Sequence, residues 1–220
     1  MNEAARAVLW DKDGTLVDSA DLHYETWRGA TRSVLGFDMS REQFDDLFGA
    51  DNVEILRILT GELPSDDLLA RVDAAKEGTF REQARRHLKM MDGALELIEA
   101  LTADGWRLAI ATSAPCENMQ LTLSIFGLHN RFQATACRDE VARGKPDPAL
   151  FLLAAERLGV DAGRCVVIED SIAGVEAARA AGMACIGLTS THAASKLHAA
   201  TRVIHSLREL RPLDFDRLIG

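Results

Sequence analysis

The sequence predicts an α/β fold: a doubly wound, mainly parallel, Rossmann-like sheet core with an inserted α-helical cap domain. Three observations predict this fold class. Short, continuous apolar runs recur along the chain, as in strands that are covered on both faces. Amphipathic helical patterns alternate with these runs. One long stretch, residues 19–87, holds helical patterns but no run typical of a buried strand.

Four apolar runs are candidate strands, and each of them ends at a polar residue. The runs are residues 7–10, 107–111, 165–168 and 184–188. The polar residues that follow them are Asp11, Thr112, Glu169 and Thr189. Their continuous apolar character predicts parallel strands in the interior of a sheet.

Helices are predicted between the later runs, over residues 93–104, 148–158 and 171–181. In the first of these, Leu95, Ile98 and Leu101 recur every three residues. The last is rich in alanine and ends before Gly182, a residue that commonly terminates helices.

The distribution of patterns predicts two domains. Residues 1–18 and 88–220 form the α/β core, and residues 19–87 form the helical cap. The length of 220 residues agrees, because it accommodates one core of about 150 residues and a smaller accessory domain.

The charge balance excludes some classes of partner. The chain has 25 Lys and Arg against 34 Asp and Glu, which gives a formal net charge of −9. Nucleic acids and anionic membranes reward clustered basic residues, so we expect neither as a partner. No segment approaches the roughly 18 apolar residues of a membrane span, and the apolar stretch after the N-terminus is too short for a signal peptide. We therefore expect a cytoplasmic protein. A monomer is favoured, although the sequence leaves the oligomeric state open.

The four cysteines are widely spaced, at Cys116, Cys137, Cys165 and Cys185. No pair has the spacing of metal ligands, so we expect reduced thiols.

The polar residues at the strand ends form a chemical set. In doubly wound sheets, the carboxyl ends of the strands meet at one crevice where ligands bind. The residues brought there are Asp11, Asp13, Thr112, Ser113, Glu169 and Asp170, with Lys145 in an adjoining loop.

Asp11 and Asp13 are two residues apart, so in an extended chain their side chains project to the same side, about 6–7 Å apart, and Lys12 points away. Gly14 then permits a sharp turn. Clustered carboxylates repel each other unless a cation lies between them. Oxygen ligands suit Mg²⁺, so the predicted metal set is Asp11, Asp13, Glu169 and Asp170.

These residue types are suited to phosphoryl transfer. A carboxylate can attack phosphorus once a metal neutralises the phosphoryl oxygens. Lys145 supplies a second positive charge, and the Thr112 hydroxyl can bind a remaining oxygen. The second aspartate can protonate the leaving oxygen and later deprotonate a water molecule. The expected partner is a small phosphorylated metabolite.

Four ordered motifs carry a family resemblance: Asp11-x-Asp13-Gly14-Thr15, Thr112-Ser113, Lys145-Pro146 and Glu169-Asp170. The chain resembles the haloacid dehalogenase superfamily, in the subfamily with a helical cap that includes β-phosphoglucomutase, phosphoglycolate phosphatase and sugar-phosphate phosphatases. The resemblance implies a Mg²⁺-dependent enzyme with Asp11 as nucleophile and Asp13 as general acid and base. It implies that Thr112 and Lys145, beside Gly14 and Ser113, hold the phosphoryl group. It also implies that Asp170 binds the metal, helped by Glu169 and the Asp13 carbonyl.

The resemblance leaves the reaction to be chosen. Asp13 argues against dehalogenation, since such dehalogenases lack the second aspartate. His23, Asn52 and Lys76 are candidate substrate contacts from the cap. At the Asn52 position the mutase has an arginine that holds a second phosphate, and neutral Asn52 beside Asp51 is a poor substitute. We therefore favour a phosphatase that acts on a sugar phosphate or phosphoglycolate-like monoester, with a phosphosugar mutase as the alternative. A receiver-like phosphorylation switch is disfavoured by Asp13 and by the long insertion.

Overall fold

The computed structural model describes residues 5–219, and within this range the strands form two sheets. The strands are β1 (Ala7–Trp10), β2 (Val17–Asp18), β3 (Lys89–Met90), β4 (Arg107–Ala111), β5 (Ala134–Ala136), β6 (Cys165–Glu169), β7 (Ala184–Leu188) and β8 (Arg202–Ile204). The larger sheet has the order β5-β4-β1-β6-β7-β8, and every neighbouring pair is parallel. The predicted fold class is confirmed.

Helices fill the connections between the strands. They are α1 (Ala20–Ala30), α2 (Arg41–Leu47), α3 (Asn52–Thr60), α4 (Asp66–His87), α5 (Ala94–Ala103), α6 (Cys116–Phe126), α7 (Ala149–Leu158), α8 (Ile172–Ala180) and α9 (Pro212–Ile219). A π-helical turn, Thr31–Leu35, continues α1. None of the helices within residues 5–219 has both the length and the apolar character needed to cross a membrane.

The central strands are apolar throughout because both faces of the sheet are covered. In β1, Val8 and Trp10 pack into one hydrophobic cluster, and Ala7 and Leu9 pack into the cluster on the opposite face. All four side chains are fully buried. A strand with helices on both sides therefore needs no polar alternation, which explains the continuous apolar runs.

The helices α1–α4 lie between β2 and β3 and have a hydrophobic cluster of their own, which includes Trp27, Phe44 and Val72. The longest of them, α4, begins where the Ser65 hydroxyl accepts a hydrogen bond from the Leu68 amide at 3.2 Å. Acidic residues occupy its first turn and basic residues its last turn, which is the favourable arrangement for a helix dipole.

Two short strands join the beginning and the end of this helical segment. In β2 and β3, Val17 pairs with Met90 and Asp18 pairs with Lys89 in antiparallel register. Strands of two residues leave no periodic pattern, so the sequence does not predict them. The edge strands β5 and β8 were missed for the same reason, since each has only three residues.

The expectation of four reduced thiols was wrong for one pair. Cys116, at the start of α6, forms a disulfide with Cys137, which follows β5. Their 21-residue separation carries no signal, because β4 and β5 are neighbours in space and bring the two loops together. Cys165 and Cys185 are free and buried.

Two leucines of α7 test how the helix packs on the sheet. Leu150 is fully buried, whereas Leu152 is 42% exposed. Leu150→Ala should lower the free energy of unfolding by about 2–5 kcal/mol, because it removes buried methyl groups and leaves a cavity. The matched control Leu152→Ala should change it by less than about 0.5 kcal/mol. Equilibrium urea unfolding measures both values, and equal losses would contradict this packing.

Candidate active site

The predicted site residues meet at the carboxyl ends of the central strands. Asp11 follows β1, Thr112 follows β4, and Glu169 is the last residue of β6. The register places these ends side by side, because Trp10 pairs with both Ile110 and Ile168. The Asp11 amide donates to the Ile168 carbonyl at 3.0 Å and extends the sheet by one residue.

Lys145 lies at the centre of this site. Its Nζ donates to Asp11 Oδ1 at 2.5 Å, to Glu169 Oε1 at 2.7 Å and to the Ala111 carbonyl at 3.1 Å. All three charged side chains are buried. Burial works against the charge of Lys145, but Asp11 and Glu169 raise the pKa of its ammonium group, which is therefore protonated.

Asp11 carries a strongly perturbed carboxyl group. Burial raises its pKa to about 7, the charges of Glu169 and Asp13 add to this effect, and Lys145 opposes it. Lys145 is bonded to Oδ1, and within residues 5–219 no hydrogen bond is found to Oδ2. One oxygen of Asp11 is thus oriented by the lysine, and Asp11 forms part of the lining of the cavity described below.

Glu169 contacts protein groups through both of its oxygens. Oε1 accepts from Lys145, and Oε2 accepts from the amides of Asp170 and Ser171 at 2.8 and 2.7 Å and from the Ser171 hydroxyl at 2.9 Å. Gly174 of α8 lies directly against it, since a Cβ atom there would be 1.8 Å from Oε1. This geometry orients Lys145 and the start of α8.

Asp170 is held by two hydroxyl groups that the sequence did not indicate. Thr15 Oγ1 donates to Oδ1 at 3.1 Å, and Thr191 Oγ1 donates to Oδ2. Burial, followed by the charges of Glu169 and Asp11, raises the pKa of Asp170 well above its usual range. Thr15 belongs to the first motif, whereas Thr191 comes from the loop after β7 and could be found only from the tertiary structure.

Asp13 has a different environment. Its Oδ1 accepts from Ser19 Oγ at 2.7 Å and lies 3.0 Å from His23 Nε2, and Lys12 Nζ is 2.7 Å from the carboxylate. The expectation that Lys12 points away was wrong: the side chain is fully buried and folds back onto Asp13. Burial works to raise the pKa of Asp13, but Lys12 and His23 hold it well below its usual range.

His23, which α1 supplies, stacks on Phe80 with ring centroids 4.2 Å apart. Burial lowers the pKa of His23, and the charge of Asp13 opposes this effect. A neutral imidazole that carries its proton on Nε2 donates to Asp13. The structure therefore brings His23 to the second aspartate.

Thr112 and Ser113 lie in the loop after β4. The Thr112 amide donates to the Ala136 carbonyl at 3.0 Å, and its hydroxyl accepts from the Ala114 amide at 3.0 Å. Ser113 Oγ is buried and, among the described residues, has no hydrogen-bond partner. Such a group needs a partner, and Ser113 lines the same cavity as Asp11, so its hydroxyl fits a ligand oxygen.

Asn52 and Lys76 belong to a polar cluster on the inserted helices. Asn52 Nδ2 donates to Asp73 Oδ1 at 2.7 Å and to Glu77 Oε1 at 2.9 Å, and Lys76 Nζ donates to Glu77 Oε1 at 2.7 Å. Glu77 Oε2 accepts from Asn118 of α6 at 2.5 Å, which connects the cluster to the sheet side of the molecule.

A cavity lies between the carboxyl edge of the sheet and the inserted helices. Most of the predicted residues line it, namely Asp11, Asp13, His23, Asn52, Lys76, Thr112, Ser113 and Asp170. Apolar side chains of Trp27, Phe44 and Phe48 form part of its wall. Gly14, Lys145 and Glu169 support the site from behind this lining.

The buried charges at the site do not balance. Asp11, Glu169 and Asp170 set three carboxylates against the one ammonium group of Lys145. Buried anions without compensation are costly. Burial raises the pKa values of two of them, Asp11 and Asp170, and a further positive charge nearby would favour their ionised forms. A hard divalent cation with oxygen ligands fits this donor set.

Comparison with known proteins agrees with this arrangement. Residues 5–182 match the haloacid dehalogenase-like hydrolase family, and the match includes all four motifs. The chain belongs to this family.

Other haloacid dehalogenase-like hydrolases resemble the chain over most of its length. The phosphorylated carbohydrates phosphatase of Thermotoga maritima is 35% identical over 181 residues, 80% of this chain and 82% of that protein. The fructose-1-phosphate phosphatase of Escherichia coli is 32% identical over 188 residues, 83% and 96% of the two chains. A hydrolase structure of this family from Entamoeba histolytica has a TM-score of 0.87 at 29% identity, covering 97% of this chain and 99% of that chain.

Gly14 tests the close packing around Asp170. Its φ is +78°, and a Cβ atom there would lie 2.1 Å from Asp170 Oδ2. Gly61 has a similar φ of +81° but nothing within 4 Å of the same position. Gly61→Ala should therefore cost only the backbone strain, about 1–2 kcal/mol of unfolding free energy, and keep full hydrolase turnover. Gly14→Ala should also displace Asp170 and lose turnover. Equal turnover of the two variants would contradict the predicted clash between a Cβ atom at position 14 and Asp170.

Glu77 provides a test of the polar cluster through pH. Burial works to raise its pKa, but Lys76 and Asn52 lower it to about 2 from 4.5. Because the pKa is lower in the folded protein, the stabilisation is complete above pH 4.5 and is lost as the pH falls towards 2. Glu77→Gln should lower the free energy of unfolding by about 2–3 kcal/mol at pH 7. The difference in unfolding free energy between this variant and the wild-type protein should become smaller below pH 4.5. The control Glu82→Gln, at an exposed position of the same helix, should change the unfolding free energy by less than about 0.5 kcal/mol at pH 7. Urea unfolding at pH 7 and pH 3 measures these free energies, and an equal loss for Glu77→Gln at both pH values would contradict the prediction.

Proposed function

We propose that this protein is a Mg²⁺-dependent phosphatase that hydrolyses small phosphate monoesters, sugar phosphates foremost, through an aspartyl-phosphate on Asp11. The observation that carries the proposal is that Lys145 holds the Asp11 carboxylate at a cavity that Ser113 also lines, with a hydroxyl that has no hydrogen-bond partner within residues 5–219. The names of the two relatives, both phosphatases of phosphorylated sugars, support the same reaction.

In this proposal, Asp11 Oδ2 attacks phosphorus and the ester oxygen leaves as an alcohol. Lys145 holds Asp11 Oδ1, which leaves Oδ2 as the attacking oxygen, and its ammonium group favours the ionised carboxylate. Ser113 Oγ and the Thr112 hydroxyl proton are available to donate to phosphoryl oxygens. These donors are fixed by the protein before substrate binds, so they stabilise developing charge without reorganisation.

Asp13 is proposed to move protons in both halves of the reaction. It is ionised in this structure, which is the state that a general base needs to activate water against the phosphorylated Asp11. A bound phosphate adds negative charge nearby and raises the pKa of Asp13, which favours the protonated form that the leaving oxygen needs. His23 and Ser19 orient this carboxylate.

Mg²⁺ would be held by the carboxylates of Asp11 and Asp170 and the backbone carbonyl of Asp13. When bound, it supplies charge neutralisation of the phosphoryl oxygens. The sequence-based hypothesis counts Glu169 among the metal ligands. In the structure its oxygens contact protein groups, namely Lys145 and the Ser171 amide just before α8. We therefore propose that Glu169 supports the metal site through neighbouring residues.

The inserted helices are proposed to form the cap that selects the substrate. The two Nδ2 protons of Asn52 are taken up by Asp73 and Glu77, which leaves Oδ1 able to accept from a substrate hydroxyl, and together with Lys76 these residues carry two negative charges and one positive charge. Such a cluster disfavours a second phosphate and can hydrogen-bond to hydroxyl groups. The aromatic wall excludes water from the reacting phosphate.

Phosphate release from a panel of esters tests the proposal. The wild-type protein with Mg²⁺ should release phosphate repeatedly from p-nitrophenyl phosphate and from sugar phosphates such as fructose 1-phosphate. Asp11→Asn should lower kcat by more than about 10³-fold, because the amide cannot attack phosphorus. The matched control Asp18→Asn, at an exposed position nearby, should keep wild-type kcat. Circular dichroism checks that both variants are folded.

Two further experiments test the metal requirement and the mutase alternative. Removal of divalent cations with EDTA should abolish turnover, and added Mg²⁺ should restore it; full activity in EDTA would refute the metal assignment. Incubation with β-glucose 1-phosphate distinguishes a mutase, since glucose 6-phosphate accumulating faster than free phosphate would overturn the phosphatase proposal.

A further inference from the structure

Arg138 forms an ion pair that bridges the two parts of the molecule. It lies in the segment after β5, and its Nε donates to Asp51 Oδ2 at 2.5 Å. Its Nη1 donates to the Val141 carbonyl at 2.9 Å, which fixes the guanidinium plane. The side chains are 24% and 10% exposed, so the pair is largely shielded from water.

Asp51 in turn holds the beginning of α3. Its second oxygen, Oδ1, accepts from the Glu54 amide at 2.9 Å and caps the helix. The first residue of that helix is Asn52, which lines the cavity. One carboxylate thus links Arg138 to the backbone that places Asn52.

The same pair packs against the loop that carries Lys145. At Gly144, a Cβ atom would lie 2.6 Å from Asp51 Oδ2 and 3.1 Å from Arg138 Nε. The neighbouring residue is Lys145, whose ammonium group binds Asp11. The ion pair therefore sits between the start of α3 and the loop that supports the nucleophile.

The backbone of Arg138 is fixed to the loop that carries Ser113. Its amide donates to the Ala114 carbonyl at 3.1 Å, and the Cys116 amide donates to Asp139 Oδ2 at 2.8 Å. The disulfide between Cys116 and Cys137 joins the same two segments covalently. Cys137 immediately precedes Arg138, so the bond restrains the residue on which the ion pair depends.

We infer that Arg138 is a positioning residue: through Asp51 it holds Asn52 over the substrate, and the Cys116–Cys137 disulfide keeps Arg138 in place. The inference rests on the proposed function for its kinetic readout, because the positioned group contacts the part of the ester beyond the phosphate. It assigns no contact between Arg138 and the substrate.

Kinetics with two substrates test the inference. Arg138→Ala should raise KM about tenfold for the sugar phosphate that the wild-type protein hydrolyses best, corresponding to about 1.4 kcal/mol, and change kcat by less than about threefold. The KM for p-nitrophenyl phosphate should rise less than about threefold, since its leaving group offers no hydroxyl to Asn52. Asp51→Asn keeps a good helix cap but loses the ion pair, so its KM values for the two substrates should match those of Arg138→Ala.

Further variants exclude a merely structural role. Arg138→Lys retains the charge and should recover part of the KM effect. The double variant Arg138→Ala/Asp51→Asn should be no worse than either single variant, because both remove the same interaction. The control Arg143→Ala, at a position whose side chain is 82% exposed, should keep both KM values. Equal losses on both substrates, or a wild-type KM in Arg138→Ala, would overturn the inference.

The disulfide is tested by thiol–disulfide exchange. Cys116 is partly exposed and Cys137 is buried, so a thiolate of dithiothreitol attacks Cys116 Sγ and the S–S electron pair leaves on Cys137, which takes up a proton. The second thiol of the reagent then closes its own disulfide and releases Cys116. Reduction should raise the sugar-phosphate KM of the wild-type protein and leave that of Arg138→Ala unchanged. The role of the disulfide would be refuted if the untreated protein had two free thiols in addition to those of Cys165 and Cys185. An unchanged sugar-phosphate KM after reduction would also refute it.

Hydrogen exchange gives a readout that does not depend on activity. Arg138→Ala and Asp51→Asn should both increase amide exchange in the first turn of α3, and Arg143→Ala should not. If the wild-type protein hydrolyses neither substrate, the proposed function fails while this measurement still decides the positioning role. Unchanged protection of α3 in both variants would refute that role even in an active enzyme.

Discussion

The ammonium group of Lys145, buried between two carboxylates, is the interaction on which the rest of the site depends. Its three bonds reach Asp11, Ala111 and Glu169, which lie at the ends of three adjacent strands, β1, β4 and β6. Loss of this cation would leave two buried carboxylates without their shared positive charge, a cost of several kcal/mol. The same bonds that stabilise the strand ends therefore orient the carboxylate that we propose as the nucleophile, so one network serves both stability and the proposed chemistry.

The fold and the charged centre could be predicted because they arise from local patterns. The runs at 7–10, 107–111 and 184–188 coincide with β1, β4 and β7, since central strands buried on both faces must be apolar throughout. The polar residues after them converge because parallel strands end at one edge. Only this general geometry was needed to bring Asp11, Thr112 and Asp170 together.

Other features depend on side-chain direction and tertiary contact, which spacing does not encode. Strand alternation predicts that Lys12 points away from Asp13, but its long side chain folds back to neutralise that carboxylate. Thr191 reaches Asp170 from 21 residues away, and Cys116 meets Cys137 across two neighbouring loops. The network of Asn52, Lys76 and Glu77 is likewise formed between separate helices. Each of these contacts requires the packed structure before its partners can be named.

The short β2–β3 pair has a consequence for how this architecture can diversify. Because Val17 pairs with Met90, the chain leaves and re-enters the sheet domain at points only about 5 Å apart, the width of one strand pair. A segment inserted at this point needs its own two ends this close together if the sheet is to stay undistorted. It must also replace the contacts that His23 makes to Asp13 and that Asp51 makes to Arg138, so the insertion point is permissive for the backbone and demanding for the side chains.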